Sequence, residues 1–377
     1  MKYYLIAGEA SGDLHGSNLV KGIRRSDPGA EFRFWGGDKM AAAGGEEGLA
    51  KHYKEASFFG FGQVVANLGT VLGQIAECKR DIRSWKPDVV ILIDYPGFNF
   101  RIARFAHGLG IPVFWYIAPK VWAWKESRVK RIKRYVTRLF IIFPFEVEYF
   151  RKWGIEAIYE GNPLVDEIAR VMPTLPSHAE FAAENGLDGR PIVGLLAGSR
   201  RSEIAKNLPL MVAVARKFPA YQFVVAGVEW IERAEYECIL AGSDVQIVFD
   251  QTYSVLKNSV AAIVTSGTAT LETALIGTPE VVFYRTNPLY AALKPYFLKI
   301  PYISLVNLIL GREAITELVQ SSMDTTRAEA ELSAILPNGA QRERMLADFA
   351  ELREVVGGAG ASERAAARMV EILKSLR

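Results

Sequence analysis

Two short apolar strand patterns in this chain each run into a turn of glycines and small hydroxyl residues that opens a helix pattern. Leu5-Ile6-Ala7 precedes GEASGDLHG (residues 8–16), and Ala262-Ile263-Val264 precedes TSGTATLE (residues 265–272). Glycine lets the backbone approach a ligand closely, and a helix start offers free N–H groups and a positive dipole end to phosphate. One such turn is weak evidence for a phosphate site, because loops without a ligand also use Gly and Ser. Two turns in separate halves, with GSRRSE (residues 198–203) between them, predict two nucleotide-binding folds facing each other across a cleft.

The rest of the chain alternates between strand and helix patterns, which is typical of parallel sheets covered by helices on both sides. VVILI (residues 89–93) is a continuous aliphatic run of the kind found in a parallel strand buried on both faces. The remaining strands are predicted at residues 3–7, 32–35, 113–117, 139–143, 157–159, 192–196, 223–226, 246–249, 261–264 and 280–284. Helices are predicted in the first half at residues 14–25, 63–85, 100–109, 126–135 and 146–153, and over residues 325–377 with one break near 357–362.

The fold class expected from this alternation is α/β, with two Rossmann-like domains and a helical C-terminus. A proline-containing linker at residues 171–180 separates them. We therefore predict an N-terminal domain at residues 1–170 and a C-terminal domain at residues 171–357. The terminal helix, at about 358–377, is expected either to pack back on the N-terminal domain or to exchange with that of a second copy, which leaves a homodimer open.

Composition excludes several other classes of protein. Apolar residues make up 50% and charged residues 23% of the 377, as in an ordinary folded chain. Two distant cysteines, Cys78 and Cys238, indicate a reducing cytoplasm and not a disulfide framework. The N-terminus enters a strand directly, without the apolar core of a signal peptide, and no apolar run is long enough to span a membrane.

Charge is uneven along the chain. Residues 1–165 hold 24 basic and 17 acidic residues, whereas the remainder holds 21 basic and 25 acidic residues. The N-terminal half is therefore the half expected to meet an anionic surface. Its segment 119–138, PKVWAWKESRVKRIKRYVTR, combines basic residues with Trp122 and Trp124, as anionic membrane surfaces attract. The alternative is a solvated basic helix face. Nucleic acid is not expected, because no binding motif accompanies the segment.

Asp94 directly follows the buried strand at 89–93, in IDYPGFN. Ligands of open parallel sheets lie at the carboxyl ends of strands, so this carboxylate is a candidate general base for a substrate hydroxyl. The alternative is a helix cap, which we disfavour because Pro96 and Gly97 separate Asp94 from the predicted helix.

Two motifs in the second half are candidates for diphosphate and ribose. In GSRRSEI, Ser199 and Ser202 are cap-type residues, and Arg200 or Arg201 can reach a diphosphate; the alternative is a capping box with solvated arginines. In SGTATLE, Gly267 allows close approach, Ser266, Thr268 and Thr270 are donors, and Glu272 can accept ribose hydroxyls. The alternative for Glu272 is a carboxylate that only complements the helix dipole.

His15 is a candidate substrate contact at the first glycine turn. No metal and no cofactor are expected, because the four histidines are scattered and accompany no cluster of carboxylates or cysteines. The chain contains no G-x-S-x-G elbow, so a serine nucleophile is not supported.

Taken in order, several segments resemble the lipid-A-disaccharide synthase family up to about residue 319. The matching segments are AGEASGD (7–13), IDYPGFN (93–99), APKVWAWK (118–125), FPFE (143–146), GNPLVD (161–166), LLAGSRRSEI (195–204), SGTATLE (266–272) and YISLVNLILGRE (302–313).

The resemblance implies an inverting glycosyltransferase of GT-B architecture. Its donor would be UDP-2,3-diacylglucosamine and its acceptor 2,3-diacylglucosamine 1-phosphate (lipid X), giving UDP and a β-1′,6-linked disaccharide phosphate. Such an enzyme would be cytoplasmic and peripheral on the inner face of the inner membrane. Asp94 matches the catalytic aspartate. The implied substrate-binding residues are Ser11, Gly12, His15, Asn99 and Trp122, and the implied UDP-binding residues are Gly198, Ser199, Arg200, Ser266, Gly267, Thr268, Glu272 and Asn307.

Some positions depart from the family pattern. Gly97 stands where a second acidic residue is common, and Asn162 stands where a histidine is common. Ala118 replaces a serine, and Ala197 replaces a proline. None of these changes removes Asp94 or Arg200, so Asp94, with His15 as a further candidate, remains the expected base.

Other readings stay open from sequence alone. A different GT-B enzyme, either a glycosyltransferase with a polyprenyl-linked acceptor or a UDP-sugar 2-epimerase, would share most of these features. A non-catalytic sugar-nucleotide or membrane-surface scaffold would share the turns but would not need Asp94, Arg200 and Glu272 together.

Overall fold

A computed structural model describes residues 1–56, 68–124, 126–285 and 301–377 of this protein. The chain forms two compact units, Met1–Asp166 together with Gly358–Arg377, and Glu167–Gly357. Each unit is built on a parallel sheet, so the predicted α/β class with two Rossmann-like domains is confirmed. The division falls between Asp166 and Glu167, inside a helix, whereas the linker was predicted to begin at Val171.

Seven parallel strands form the sheet of the first unit within the described residues, in the order β3-β2-β1-β4-β5-β6-β7. They are β1 (Lys2–Ala7), β2 (Glu31–Gly36), β3 (Leu49–His52), β4 (Val89–Ile93), β5 (Val113–Tyr116), β6 (Arg138–Ile141) and β7 (Ala157–Tyr159). Successive side chains of a strand point to opposite faces. Tyr3 and Leu5 therefore enter one apolar core and Tyr4 and Ile6 the other, so both faces of the sheet are buried.

Helices cover both faces of this sheet. They are α1 (Ala10–Ser26), α2 (Asp38–Gly44), α3 (Tyr53–Ala56), α4 (Leu68–Trp85), α5 (Pro96–Gly108), α6 (Val121–Trp124), α7 (Val129–Tyr135), α8 (Phe145–Arg151) and α9 (Pro163–Val171), the last of which continues into the second unit. Short 3₁₀ turns lie at Glu46–Gly48 and Glu126–Arg128.

The second unit has six parallel strands in its described part, in the order β10-β9-β8-β11-β12-β13. They are β8 (Ile192–Leu196), β9 (Gln222–Gly227), β10 (Gln246–Phe249), β11 (Ser259–Thr265), β12 (Glu280–Tyr284) and β13 (Glu317–Val319). The helices are α10 (His178–Glu184), α11 (Arg201–Ala215), α12 (Arg233–Leu240), α13 (Thr252–Lys257), α14 (Thr268–Ile276), α15 (Leu305–Leu310), α16 (Thr325–Ile335) and α17 (Arg342–Val356). Short 3₁₀ turns lie at Met172–Thr174 and Gln320–Ser322.

The terminal helix α18 (Ala361–Ser375) packs against α1 of the same chain. The two helices approach closely at Gly22, where a Cβ would lie 2.7 Å from Cβ of Ala366. The carboxylate of Asp166 accepts hydrogen bonds from the backbone N–H groups of Gly360, Ala361 and Ser362, at 2.6, 3.0 and 2.9 Å. The start of α18 is thus satisfied by a side chain remote in sequence.

Most predicted elements lie where the sequence placed them, and the differences are local. The edge strands β3 and β13 were not predicted. Helix α1 begins at Ala10 and not at residue 14, and α5 begins at Pro96 and not at residue 100. The C-terminal helical stretch has a second break, between Ile335 and Arg342. Part of the helix predicted at 63–85 lies outside the described residues.

Candidate active site

The strand order of the first unit reverses between β1 and β4, which is where open parallel sheets bind ligands. Ala7 pairs with Ile93 at the carboxyl ends of these strands. The first glycine turn, which begins at Gly8, therefore lies beside Asp94. A Cβ at Gly8 would collide with the ring of Tyr95, so glycine is required here for packing as well.

The backbone at Asp94 and Tyr95 is unusual, because both residues have positive φ, +41° and +47°. Two consecutive left-handed non-glycine residues cost about 1–2 kcal/mol each. Tyr95, and not Asp94, is the N-cap of α5, and no side chain caps this helix. The helix-cap alternative for Asp94 is therefore wrong, and its carboxylate is available for another task.

The position of Asn99 explains how this backbone is held. Its Nδ2 donates to the carbonyl oxygens of Ile93, at 3.3 Å, and Asp94, at 2.8 Å. The side chain is fully buried. The Asn99 amide therefore supports the backbone of the candidate base from inside the protein. Its predicted contact with substrate stays a prediction.

Solvent reaches the Asp94 side chain, yet neighbouring protein atoms remove it from much of the bulk water. This desolvation raises the pKa of Asp94 to about 6, opposed by the positive charge of Lys120 and reinforced by the negative charge of Glu9. A pKa near 6 suits a base that must be ionised at neutral pH and still accept a proton.

The other residues predicted from the first glycine turn lie on the first two turns of α1. Ser11 is exposed, His15 is half-buried, and Gly12 is buried against Ala7. The carboxylate of Asp13 is used at the start of α2, where it accepts hydrogen bonds from the N–H groups of Gly37, Lys39 and Met40. Of the substrate contacts predicted in this motif, Ser11 and His15 are thus the two whose side chains remain accessible.

Trp122 does not present its indole N–H to solvent or lipid. Nε1 donates to Oε1 of Glu146 at 2.8 Å, and the ring meets Phe145 edge to face at 5.0 Å. The indole N–H of Trp122 is thus used inside the protein, and the predicted substrate contact of this residue stays a prediction. Burial raises the pKa of Glu146 to about 7, offset by the hydrogen bond from Trp122 and by backbone N–H groups at Phe143 and Ile142.

Lys120 and Glu146 are two residues of this edge that the sequence analysis did not select. Both belong to segments that resemble the family, APKVWAWK and FPFE, but a lysine and a glutamate at these positions did not by themselves indicate a role. Lys120 is exposed, lies over the ring of Phe143 at 5.9 Å, and lowers the pKa of both Asp94 and Glu146. It is the cation that acts on the candidate base.

The basic segment forms the exposed side of α7. Lys130, Arg131, Lys133 and Arg134 are exposed, whereas Val129 and Ile132 are buried. Arg131 lies over Phe100 at 4.4 Å, and Lys133 donates to the carbonyl oxygen of Trp153. Four cations thus share one solvent-facing surface of a short, anchored helix.

The strand order of the second unit reverses between β8 and β11. Leu196 pairs with Val264 there, so the GSR and SGT turns follow adjacent strand ends. The topology of this unit therefore brings together two motifs that are about 70 residues apart in sequence.

The GSR turn is partly closed by Glu203, which the sequence analysis did not single out. Its carboxylate accepts from the backbone N–H of Ser199 at 3.1 Å and pairs with Arg200 at 3.3 Å. Gly198 has φ +118°, so this position favours glycine. The Arg200 side chain is 78% exposed and can turn toward an anion.

The SGT turn has an open glycine. A Cβ at Gly267 would meet no atom of the described residues within 4 Å, and φ there is extended, so this part of the protein does not require glycine. Thr268 is exposed and Ser266 is half-buried, while the hydroxyl of Thr270 donates to the carbonyl oxygen of Gly267. Glu272 lies beyond the first turn of α14, so a pure dipole role does not explain it.

Asn307 lies inside the protein. It is fully buried; its Nδ2 donates to the carbonyl oxygen of Ile315 and to Glu317, and its Oδ1 accepts from the N–H groups of Ala314 and Ile315. Both ends of the amide thus hold the loop after α15, and the predicted UDP contact of Asn307 stays a prediction.

Within the described part of the chain, no group of three or more His, Cys, Asp or Glu side chains is placed to hold a metal ion. Over the same residues, no helix combines the length and apolar character needed to cross a bilayer.

Comparison with known proteins supplies relatives for the whole chain. The family profile described as lipid-A-disaccharide synthetase matches residues 3–368. The lipid-A-disaccharide synthase of Geobacter metallireducens is 38% identical over 380 residues, covering 99% of this chain and 97% of that protein. That of Geobacter sulfurreducens is 38% identical over 376 residues, covering 98% and 96%.

A solved structure has a similar fold. The UDP-GlcNAc 2-epimerase from Neisseria meningitidis bound to UDP-GlcNAc superposes with a TM-score of 0.69, at 14% identity and 100% coverage of both chains. At this identity the likeness shows the fold alone.

Proposed function

This chain belongs to the lipid-A-disaccharide synthase family and is a glycosyltransferase that forms the lipid A disaccharide, and we propose that Asp94 is its general base. The observation that carries this proposal is the place of Asp94, at the strand-order reversal of the first unit, on a left-handed backbone held by Asn99. Strained backbone of this kind is retained where function needs it.

In the proposed reaction, the 6-hydroxyl oxygen of lipid X attacks the anomeric carbon of UDP-2,3-diacylglucosamine. The new carbon–oxygen bond forms as the bond to the β-phosphate oxygen breaks, and UDP leaves with the bonding electrons. Asp94 takes the hydroxyl proton. One in-line displacement inverts the anomeric centre and needs one base. A positioned base contributes about 10²–10⁴-fold in rate.

The second unit is proposed to bind the UDP part of the donor. Arg200, the backbone of Gly198 and Ser199, and the first turn of α14 would receive the diphosphate, since guanidinium and N–H groups stabilise a departing anion. The diphosphate would approach the backbone closely at Gly267, between Ser266 and Thr268. Glu272 would accept hydrogen bonds from the ribose hydroxyls. UDP-bound proteins of similar fold support this assignment.

The first unit is proposed to bind the acceptor and the membrane surface. Ser11 and His15 lie on the helix that follows β1, the strand paired with the one that ends just before Asp94, and would contact lipid X. Lys120, whose charge acts on Asp94, would attract the phosphate of lipid X. The four exposed cations of α7 would hold the enzyme on an anionic leaflet.

The experiment that tests this function is a coupled assay for UDP release. UDP-2,3-diacylglucosamine is supplied with and without lipid X, in excess chelator, to the wild type, to Asp94→Asn and to the control Asp38→Asn, which changes an exposed carboxylate of the same unit. UDP release that needs the acceptor and is lost only in Asp94→Asn supports the proposal. A near-normal rate in Asp94→Asn contradicts the assigned base, and conversion of the donor without acceptor contradicts the assigned reaction.

A further inference from the structure

A partly buried hydrogen bond in the second unit connects α13 to α14. The hydroxyl of Tyr253, on α13, donates to Oε1 of Glu272, on α14, at 2.8 Å. Both side chains are half-buried. Oε2 of Glu272 receives no hydrogen bond from the part of the chain that the structure describes, so one oxygen is fixed and the other is available.

We propose that Tyr253 is a positioning residue for nucleotide binding, which holds the Glu272 carboxylate so that Oε2 faces the ribose hydroxyls. This inference rests on the proposed role of Glu272 as the ribose ligand. A carboxylate on a three-bond side chain has several rotamers, and a hydrogen bond to one oxygen selects among them before the ligand arrives. Binding of the nucleotide then costs less conformational entropy, because the Glu272 side chain is already ordered.

The charges around this pair give Tyr253 a second effect. Burial raises the pKa of Glu272, the hydrogen bond from Tyr253 lowers it, and the negative charge of Glu167 on α9 raises it. Tyr253 itself faces Glu272, Glu167 and Arg170, and the last two form an ion pair. Tyr253 is the neighbour that favours the ionised carboxylate, which is the form that accepts two hydroxyl donors.

The test compares UDP with 2′-deoxy-UDP by calorimetric titration. For the wild type we expect UDP to bind about tenfold more tightly than 2′-deoxy-UDP, as for a hydrogen bond to a charged group. In Tyr253→Phe this preference should fall to about twofold, mostly through weaker binding of UDP. The acid limb of UDP binding should also move to higher pH, because Glu272 loses a donor to its ionised form.

A control variant and a double variant separate positioning from general damage to the fold. Tyr221→Phe, at the opposite end of the sheet just before β9, should bind both nucleotides like the wild type. In a Glu272→Gln background, Tyr253→Phe should change UDP affinity less than twofold, since the coupling requires both partners. An additive loss in the double variant would overturn the proposal by revealing a purely structural effect.

The failures of the two assignments are distinguishable. A wild type that binds UDP and 2′-deoxy-UDP equally would refute Glu272 as a ribose ligand, and the role of Tyr253 with it. A wild type that prefers UDP, together with a Tyr253→Phe variant that keeps the full preference, would overturn the role of Tyr253 alone.

Discussion

The indole Nε1 of Trp122 donates a hydrogen bond of 2.8 Å to the fully buried carboxylate of Glu146. This contact joins α6 to the first turn of α8 at the carboxyl edge of the sheet. Trp122, which the sequence suggested for a membrane surface, is therefore the hydrogen-bond partner of an internal carboxylate.

Trp122→Phe is expected to destabilise the protein by about 1–3 kcal/mol, because a buried acceptor loses its donor. The folded-state pKa of Glu146, about 7, lies above its unfolded value, so the stability that comes from its protonated form is lost as pH rises through 7. Without the indole this pKa rises further, and the deficit of the variant should grow from pH 5 to pH 9. Urea unfolding at both pH values measures it; a deficit that is the same at both would contradict the role of Glu146.

The rate should fall on the acid side as Asp94 is protonated, with a midpoint near pH 6. Lys120→Met removes a cation that favours the ionised carboxylate, so the midpoint of kcat/KM should move to higher pH. Lys130→Met, an equally exposed change on α7, should leave it in place. A pH profile of UDP release distinguishes these results. An unshifted midpoint in Lys120→Met would show that Lys120 does not influence the pKa of the base.

Gly267→Ala should leave the free energy of unfolding unchanged within about 0.5 kcal/mol, since the new methyl group meets no atom of the residues that the structure describes. Affinity for UDP should fall about tenfold if the nucleotide approaches this backbone closely. Gly73→Ala, at an exposed position of α4 that is equally open, serves as the control and should bind UDP normally. Unchanged affinity in Gly267→Ala would place the ligand elsewhere.

Asp166→Asn should cost about 1–2 kcal/mol, because the carboxylate that accepts three N–H groups at the start of α18 is replaced by a weaker acceptor. Chemical unfolding and limited proteolysis between α17 and α18 would report it. Glu363→Gln removes only the exposed ion pair with Arg25 and should cost under about 1 kcal/mol. Equal losses in the two variants would contradict the capping role of Asp166.

Neutralising Lys130, Arg131, Lys133 and Arg134 together should weaken binding to anionic vesicles by about 1,000-fold at low salt, at roughly 1 kcal/mol per surface cation. Sedimentation with phosphatidylglycerol and with phosphatidylcholine vesicles measures the difference. The matched control neutralises four exposed cations of the second unit, Lys206, Arg216, Lys217 and Arg233. If both quadruple variants lose binding equally, net charge and not the α7 surface is responsible.

Much of the fold was predictable because hydrophobic patterns are local. The continuous run at Val89–Ile93 and the strand patterns that alternate with helices were sufficient for two parallel sheets, and Asp94 stood out because it directly follows a buried strand. The edge strands β3 and β13 escaped because a strand with one neighbour, such as Leu49–His52, needs less apolar sequence.

The roles of single side chains depended on contacts that join distant segments, and these no sequence pattern encodes. Asn99 and Asn307 lie in segments that match the site motifs, yet the amide of each donates to backbone carbonyl oxygens inside the protein. Glu146 and Tyr253 gave no signal, since each acquires its partner only through the packing of two helices. The sequence by itself determined the strands, the turns and the candidate base. The tertiary structure decided which polar groups remain available at the strand ends, because most buried polar groups must find a partner within the fold.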